Sequence, residues 1–244
     1  MKRITTVLLT GAAALFMTAC GGGSSDSGTI QPPPESTPPS GIIGSGTIED
    51  PYIVGSGEYT FTGSKYFEVY TNRTECNVIA YNIRNLNPWG QTKMFDSSYS
   101  EIPQEKYGYT YKVSDIDTYI IEANSYEETE EAILGIYSPC IDQPNSSYTP
   151  DKVLINSLNS FSVNDSLRLY KFDLDSNSIV ETKDISNTDR MYYYDVNLNY
   201  ITHFEGYEDD KTLELSAGSY YLLVSQFGFG SEETPTFYFS VESK

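Results

Sequence analysis

Histidine is almost missing from this chain: 244 residues contain one, His203. Cysteine occurs three times and tryptophan once. Catalytic triads and most zinc sites are built from histidine and cysteine, so their parts are short here. A triad would have to use His203, and no Gly-x-Ser-x-Gly elbow accompanies it. His203 stands in the strand-like run Tyr200-Ile201-Thr202-His203-Phe204 and reads as a surface or satisfied strand histidine. Basic charge is scarce as well: 15 Lys and Arg face 34 Asp and Glu, a formal charge of −19. Nucleic acid needs a basic surface and is excluded as the main partner. Beyond the N-terminus no apolar run approaches the about 20 residues of a membrane-spanning helix. No long stretch carries a 3.6-residue apolar stripe. Glycosidase-type carboxylate pairs arise by chance among so many acids, and a small sandwich offers them little cleft. The expected class is therefore non-enzymatic.

The N-terminus reads as an address. Met1-Lys2-Arg3 is positive, residues 4–17 are mostly apolar, and Ala19 is small, which is the layout of a secretory signal over residues 1–19. Phe16-Met17-Thr18-Ala19-Cys20 resembles a bacterial lipobox, with Met17 where leucine is usual. The resemblance implies cleavage before Cys20 and its acylation, palmitate being among the usual chains; the alternative is an ordinary signal with Cys20 there by chance. Several acyl chains, at about 0.8 kcal/mol per buried methylene, make a stable membrane anchor. Gly21 rather than aspartate after the cysteine implies the outer membrane, facing periplasm or cell surface. Without Lys2 and Arg3, 13 basic residues face the same 34 acidic ones, a net −21. Residues 20–46 comprise the cysteine and a Gly/Ser/Pro-rich, disordered tether, about 30 Å long if flexible and roughly 80 Å if extended. Pro32, Pro33 and Pro34 read as spacer rather than as a ligand for a proline-binding domain.

Tyrosine is abundant, at 22 residues beside 11 Phe. Aromatic and β-branched runs at 65–71, 77–83, 118–123, 133–137, 167–172, 220–225 and 236–241 alternate with Gly, Pro, Asn, Asp and Ser clusters. The fold class predicted is all-β: two tandem jelly-roll-like β-sandwich domains following the signal peptide and the linker. Duplication is visible in three matches kept in order. Residues 93–96 precede Ile102 as 191–195 precede Ile201. Val113-Ser114 then Tyr119-Ile120-Ile121 match Leu215-Ser216 then Tyr221-Leu222-Leu223. Glu127-Glu128-Thr129 matches Glu232-Glu233-Thr234. The expected domains are 47–145 and 146–244, with the boundary in 142–151.

Leu215-Ser216-Ala217-Gly218-Ser219-Tyr220-Tyr221-Leu222-Leu223-Val224, followed by Phe237-Tyr238-Phe239-Ser240-Val241, resembles the end of the bacterial pre-peptidase C-terminal (PPC) domain. Tyr193-Tyr194-Asp195 fits its middle strand, and Gly46-Thr47 with Asp50-Pro51-Tyr52 its opening. The first repeat has Ile116-Asp117 where that motif expects Ala-Gly. The resemblance implies a small jelly-roll-like sandwich of secreted and surface proteins, with no catalytic residue.

Four further features carry chemistry. Asp173, Asp175 and Asn177, with Asp184 at the twelfth position, have the alternate-oxygen spacing of an EF-hand calcium loop. Ser178 replaces its turn glycine, however, and Asp184 is shorter than the usual glutamate. A β-hairpin turn with only millimolar Ca²⁺ affinity is expected, and no cofactor is required. Residues 127–131 read as a solvated acidic loop. Trp89, on the turn Asn87-Pro88-Trp89-Gly90, stacks on a sugar if exposed or plugs a sandwich end if buried. With Cys20 acylated, Cys76 and Cys140 are the two remaining thiols, and export places them where a disulfide forms. The leading reading is an envelope lipoprotein whose modules bind or adhere to an unidentified protein or glycan. The alternative is a carbohydrate-binding or carbohydrate-processing accessory that uses exposed aromatics.

Overall fold

Strand-forming runs broken by Gly, Asn, Asp and Ser give eighteen strands and no helix among the described residues. The computed structural model describes residues 42–85, 92–105, 109–141, 148–205, 211–226 and 233–244. The signal sequence, Cys20, the tether up to residue 41, Trp89 and residues 142–147 of the expected boundary lie outside them.

The first nine strands are β1 (Tyr52–Ile53), β2 (Gly57–Phe61), β3 (Ser64–Tyr70), β4 (Cys76–Arg84), β5 (Lys93–Phe95), β6 (Glu101–Ile102), β7 (Thr110–Val113), β8 (Thr118–Asn124) and β9 (Ala132–Tyr137). The second nine are β10 (Asp151–Lys152), β11 (Ser157–Ser160), β12 (Leu167–Leu174), β13 (Ser178–Ser186), β14 (Thr188–Tyr194), β15 (Tyr200–Glu205), β16 (Lys211–Leu215), β17 (Gly218–Gln226) and β18 (Thr236–Ser243). Strands β2 to β9 wind as a jelly roll, with β2-β9-β4-β7 in one sheet and β3-β8-β5-β6 in the other. The short β1 adds to β3 in parallel at the edge. Strands β10 to β18 repeat the pattern as β11-β18-β13-β16 and β12-β17-β14-β15, with β10 parallel to β12. Every strand of the second set thus has its counterpart nine strands earlier.

The turn between β5 and β6 shows how closely the two repeats agree. Asp96 accepts hydrogen bonds from the amides of Ser98 and Ser100 at 2.8 and 2.9 Å. Asp195 accepts from those of Asn197 and Asn199 at the same distances. The fourth residue of each turn has positive φ: Tyr99 at 61° and Leu198 at 61°. An aspartate that ties down the amides ahead of it is what lets a non-glycine residue occupy that conformation. The tips then diverge, since Tyr99 is exposed and Leu198 fully buried.

Three cores account for that difference. Phe67, Val69, Met94 and Ile121 pack against Val78, Ala80, Leu134 and Ile136 inside the first sandwich. Phe172, Met191, Tyr193 and Leu222 pack against Val180, Phe237 and Phe239 inside the second. A third core joins the repeats. Ile79, Tyr81, Ile83 and Tyr137, from β4 and β9, meet Leu167, Leu169, Tyr192, Tyr194, Tyr221 and Leu223, from β12, β14 and β17, with Leu198 among them. The described strands therefore form four stacked sheets, the inner two buried on both faces. This explains the unalternating apolar runs of β4 and β17, since a strand covered on both sides needs no polar face. It also absorbs much of the tyrosine: eight tyrosines belong to or border this third core. There Tyr137 and Tyr221 share a hydroxyl–hydroxyl bond of 2.7 Å, and the Ser166 amide donates to the Ile83 carbonyl at 2.6 Å.

The expected disulfide is present. Cys76 opens β4 and Cys140 follows β9, with their Cα atoms 6.5 Å apart. Ser138 donates to the Asn77 carbonyl at 2.7 Å, and its oxygen lies 3.2 and 2.9 Å from the two sulfurs.

Candidate binding groove

The acidic loop does not gather round one point. Asp173 accepts from Ser219 and lies 3.5 Å from the Lys171 ammonium; the Ser219 bond, ahead of that cation, lowers its pKa. Asp175 lies beyond the end of β12, and Asn177 Oδ1 accepts from the Ala217 amide at 3.3 Å. Asp184 is held by Thr188. Because β13 runs extended from Ser178, Asp184 lies about 20 Å along the strand from the turn. A calcium loop has to curl back instead. The hairpin expected here is corrected too: β12 and β13 lie in different sheets, so residues 175–177 turn a corner between layers. No group of three or more potential metal ligands occurs among the described residues.

His203 lies on β15 with its ring stacked on Tyr192, centroids 5.6 Å apart. Its Nδ1 is 2.6 Å from the Tyr200 hydroxyl and its Nε2 is 3.6 Å from Glu205. The Tyr192 stack crosses to β14, whereas Tyr200 and Glu205 lie on β15 itself, so the side chain is satisfied by its own strand and one neighbour. Residues 127–129 and Glu131 are exposed, as a solvated loop requires. Trp89 lies outside the described residues.

A concave site appears where sequence reasoning found none. A groove of about 530 Å³ opens beside β10, between β12 and β11. Its walls mix Leu154, Leu158, Phe161 and Tyr170 with Asp151, Lys152, Asn159, Asp165 and Arg168. Leu154 and Leu158 are 59% and 55% exposed. Asn159 makes the rim rigid, accepting from the Leu154 amide at 2.7 Å and donating to its carbonyl at 3.0 Å. Arg168 bonds Glu58 of the first repeat at 2.8 Å and Asp151 at 3.1 Å. Burial opposes its charge, but these two carboxylates outweigh burial and raise its pKa. Burial likewise pushes the Tyr170 hydroxyl above the usual phenol range.

The first repeat shows why the groove is open. Strand register makes Tyr52 the counterpart of Asp151, and Phe67 that of Tyr170. Pairing with the last strand of each repeat makes Tyr59 the counterpart of Asn159. In the first repeat both tyrosine rings lie against Phe67, at 5.6 and 5.8 Å between centroids. Tyr52 is 4% exposed there, whereas the Asp151 side chain is 58% exposed. Two aromatic plugs have become two short polar residues. Residues 42–46 also cover the first repeat's mouth. Ile42 packs on its core, and the Ile53 amide donates to Ile43 at 2.9 Å. Gly46, at φ +74°, lies so close to the Tyr52 ring that a Cβ there would collide with it. The legible signal was Pro51-Tyr52 against Pro150-Asp151, an offset of 99 residues at which a buried aromatic gives way to a carboxylate.

No protein-family model matches the chain, and no curated protein matches it. Among solved structures, the "CUB1-EGF-CUB2 domain of HUMAN MASP-1/3" is similar at 10% identity, over 83% of this chain and 99% of that one, with a TM-score of 0.23. A score that low carries neither a structural nor a functional conclusion.

Proposed function

We propose that this chain is a non-enzymatic, lipid-anchored protein of the outer membrane, whose four-sheet body presents a binding surface to a partner in the envelope. One observation carries the reading: among the described residues the second sandwich lacks the two aromatic plugs of the first, and aliphatic side chains stand exposed beside the concavity that results. A rigidly framed concavity in which Leu154, Leu158, Phe161 and Tyr170 stand among charged and polar side chains such as Asp151, Lys152, Asp165 and Arg168 has the makings of a recognition site. The resemblances to a lipobox and to PPC domains support the anchor and the surface setting. His203 is engaged by Tyr192, Tyr200 and Glu205, and Asp173, Asn177 and Asp184 by Ser219, Ala217 and Thr188, which favours binding over catalysis. The carbohydrate reading gains no such support, because most of the described tyrosines belong to or border the three cores.

Two measurements test this. Mass spectrometry of the membrane fraction is expected to find acylated Cys20, and Cys20→Ala to release the protein from the membrane. Photo-crosslinking in intact cells from a probe at Leu158 is expected to trap a discrete partner, while a probe at the exposed Ile116 traps none. Unmodified Cys20 in a soluble product, or no crosslink from Leu158, would contradict the proposal.

A further inference from the structure

We infer that the outer face of the first sandwich, on β3, β8 and β5, rests on the lipid surface that holds the anchor, so that the second sandwich stands outward. The inference rests on the anchor proposed above and adds the orientation of the body.

Strand register places the side chains of this face. Ile53, Glu68, Ile120, Phe95 and Glu101 form one row across β1, β3, β8, β5 and β6. Tyr66, Glu122 and Lys93 form the row on one side of it, and Tyr70 stands opposite Thr118 on the other. Their chain neighbours Phe67, Val69, Met94 and Ile121 belong to the first core, so by alternation this set points out. Ile43, paired with Ile53, lies on the same side, since Ile42 next to it packs on the core. Ile43, Ile53, Tyr70 and Tyr99 are 65%, 45%, 47% and 55% exposed.

The second repeat shows the same face covered by a sheet. Register equates its Leu169, Tyr221 and Tyr194 with Tyr66, Ile120 and Phe95, and the matching turns equate Leu198 with Tyr99. All four residues of the second repeat lie in the third core. The first repeat keeps an apolar or aromatic residue at each position, although its sheet is the outermost of the stack. The opposite end of the stack has not kept them. There Glu181, Lys183 and Ser240 occupy the positions from which Ile79, Tyr81 and Tyr137 enter the third core.

Two observations select a lipid surface over another sheet. Glu122 and Lys93 stand where the second repeat has Leu223 and Tyr192, so charges interrupt the apolar centre and oppose a dry contact. Tyrosine, with an apolar ring and a polar tip, suits the hydrated headgroup layer instead. The anchor also leads to this end. Ile43, on the face itself, follows Cys20 by 23 residues, a span of about 25 Å for a flexible chain. At that distance the local concentration of bilayer is high, and weak contacts suffice to orient the body. The excess of 34 acidic over 15 basic residues opposes anionic lipid, so the surface that fits is zwitterionic.

The test uses the acylated mature protein in phosphatidylcholine vesicles. A benzoylphenylalanine photo-probe replaces Tyr99, Tyr70 or, as a control as exposed as Tyr99, Leu158. Lipid adducts, read by mass spectrometry, are expected from Tyr99 and Tyr70 at least tenfold above those from Leu158. Ile43→Glu with Tyr70→Glu is expected to cut the Tyr99 adducts at least fivefold at an unchanged melting temperature, and Leu158→Glu to leave them as they were. Adding phosphatidylglycerol is expected to lower them. Equal yields from Tyr99 and Leu158, Tyr99 adducts indifferent to the two glutamates, or yields that rise with phosphatidylglycerol would overturn the inference. Crosslinks to a second copy in place of lipid would also overturn it, by making this face a self-association surface. Unmodified Cys20 would remove the anchor and the orientation together, whereas an acylated protein that gives no lipid adducts would remove the orientation alone.

Discussion

Tyr81→Ala is expected to destabilise the folded chain by about 3–5 kcal/mol, the range for removing a large buried aromatic ring. Tyr81 is 1% exposed and lies in the core shared by the two repeats. Its ring lies over Gly135 on the neighbouring strand, where a Cβ would strike it, so the site has no side chain able to collapse into the space left behind. Its hydroxyl is bonded to Tyr148, and burial raises its pKa well above the usual phenol value. Both repeats border the cavity, so neither is spared. Urea denaturation followed by circular dichroism is expected to show one transition, shifted to lower urea with its slope unchanged. A shift worth less than 1 kcal/mol would mean that the third core contributes little.

Removing the disulfide has the other large effect. Cys76→Ala with Cys140→Ala opens a bridge spanning 64 residues of sequence, and the chain-entropy relation puts its contribution at about 4 kcal/mol. The consequence reaches beyond the first sandwich. Ser138, beside both sulfurs, bonds the Asn77 carbonyl, and the Asn77 side chain donates to the Asn197 carbonyl at 3.3 Å and to Asn199 Oδ1 at 3.0 Å. Arg73 reaches Asn197 as well, at 3.4 Å. The bridge therefore backs the seat on which the 195–199 turn of the second repeat rests. Thermal melts are expected to show the double variant far below the parent, and the parent falling to the same level once reduced. Equal melting of oxidised and reduced protein would contradict this.

Much of the architecture was legible because short alternating strands and an ordered repeat leave few alternatives to a sandwich. The disulfide was legible by elimination. Face-by-face detail was not. Sequence matching paired Tyr119 with Tyr221, but strand register equates Tyr119, opposite Val69, with Tyr220, opposite Phe172. A one-residue slip turns a strand over, and here it exchanges a sandwich-facing residue for one in the shared core. The shared core itself was hidden, since a strand buried on both faces and an inward strand of one sandwich look alike in periodicity. Acidic spacing at Asp173, Asp175 and Asn177 fitted a metal loop only in part and was read as a hairpin turn, but spacing carries no information about whether the chain returns in the same sheet or crosses to another. The groove escaped notice because its signal is a loss, Asp151 and Asn159 where the other repeat has tyrosine, and it emerges only when the repeats are registered strand by strand.

The central claim is that the two repeats form one body through the tyrosine-rich third core, which fixes the open mouth of the second sandwich relative to the first. Differential scanning calorimetry of the mature protein tests it most directly. One transition is predicted, with calorimetric and van't Hoff enthalpies equal, and Ile83→Asp, which buries a charge in that core alone, should lower the whole transition. Two separable transitions, or a variant that shifts only one of them, would show two independent sandwiches and contradict the account.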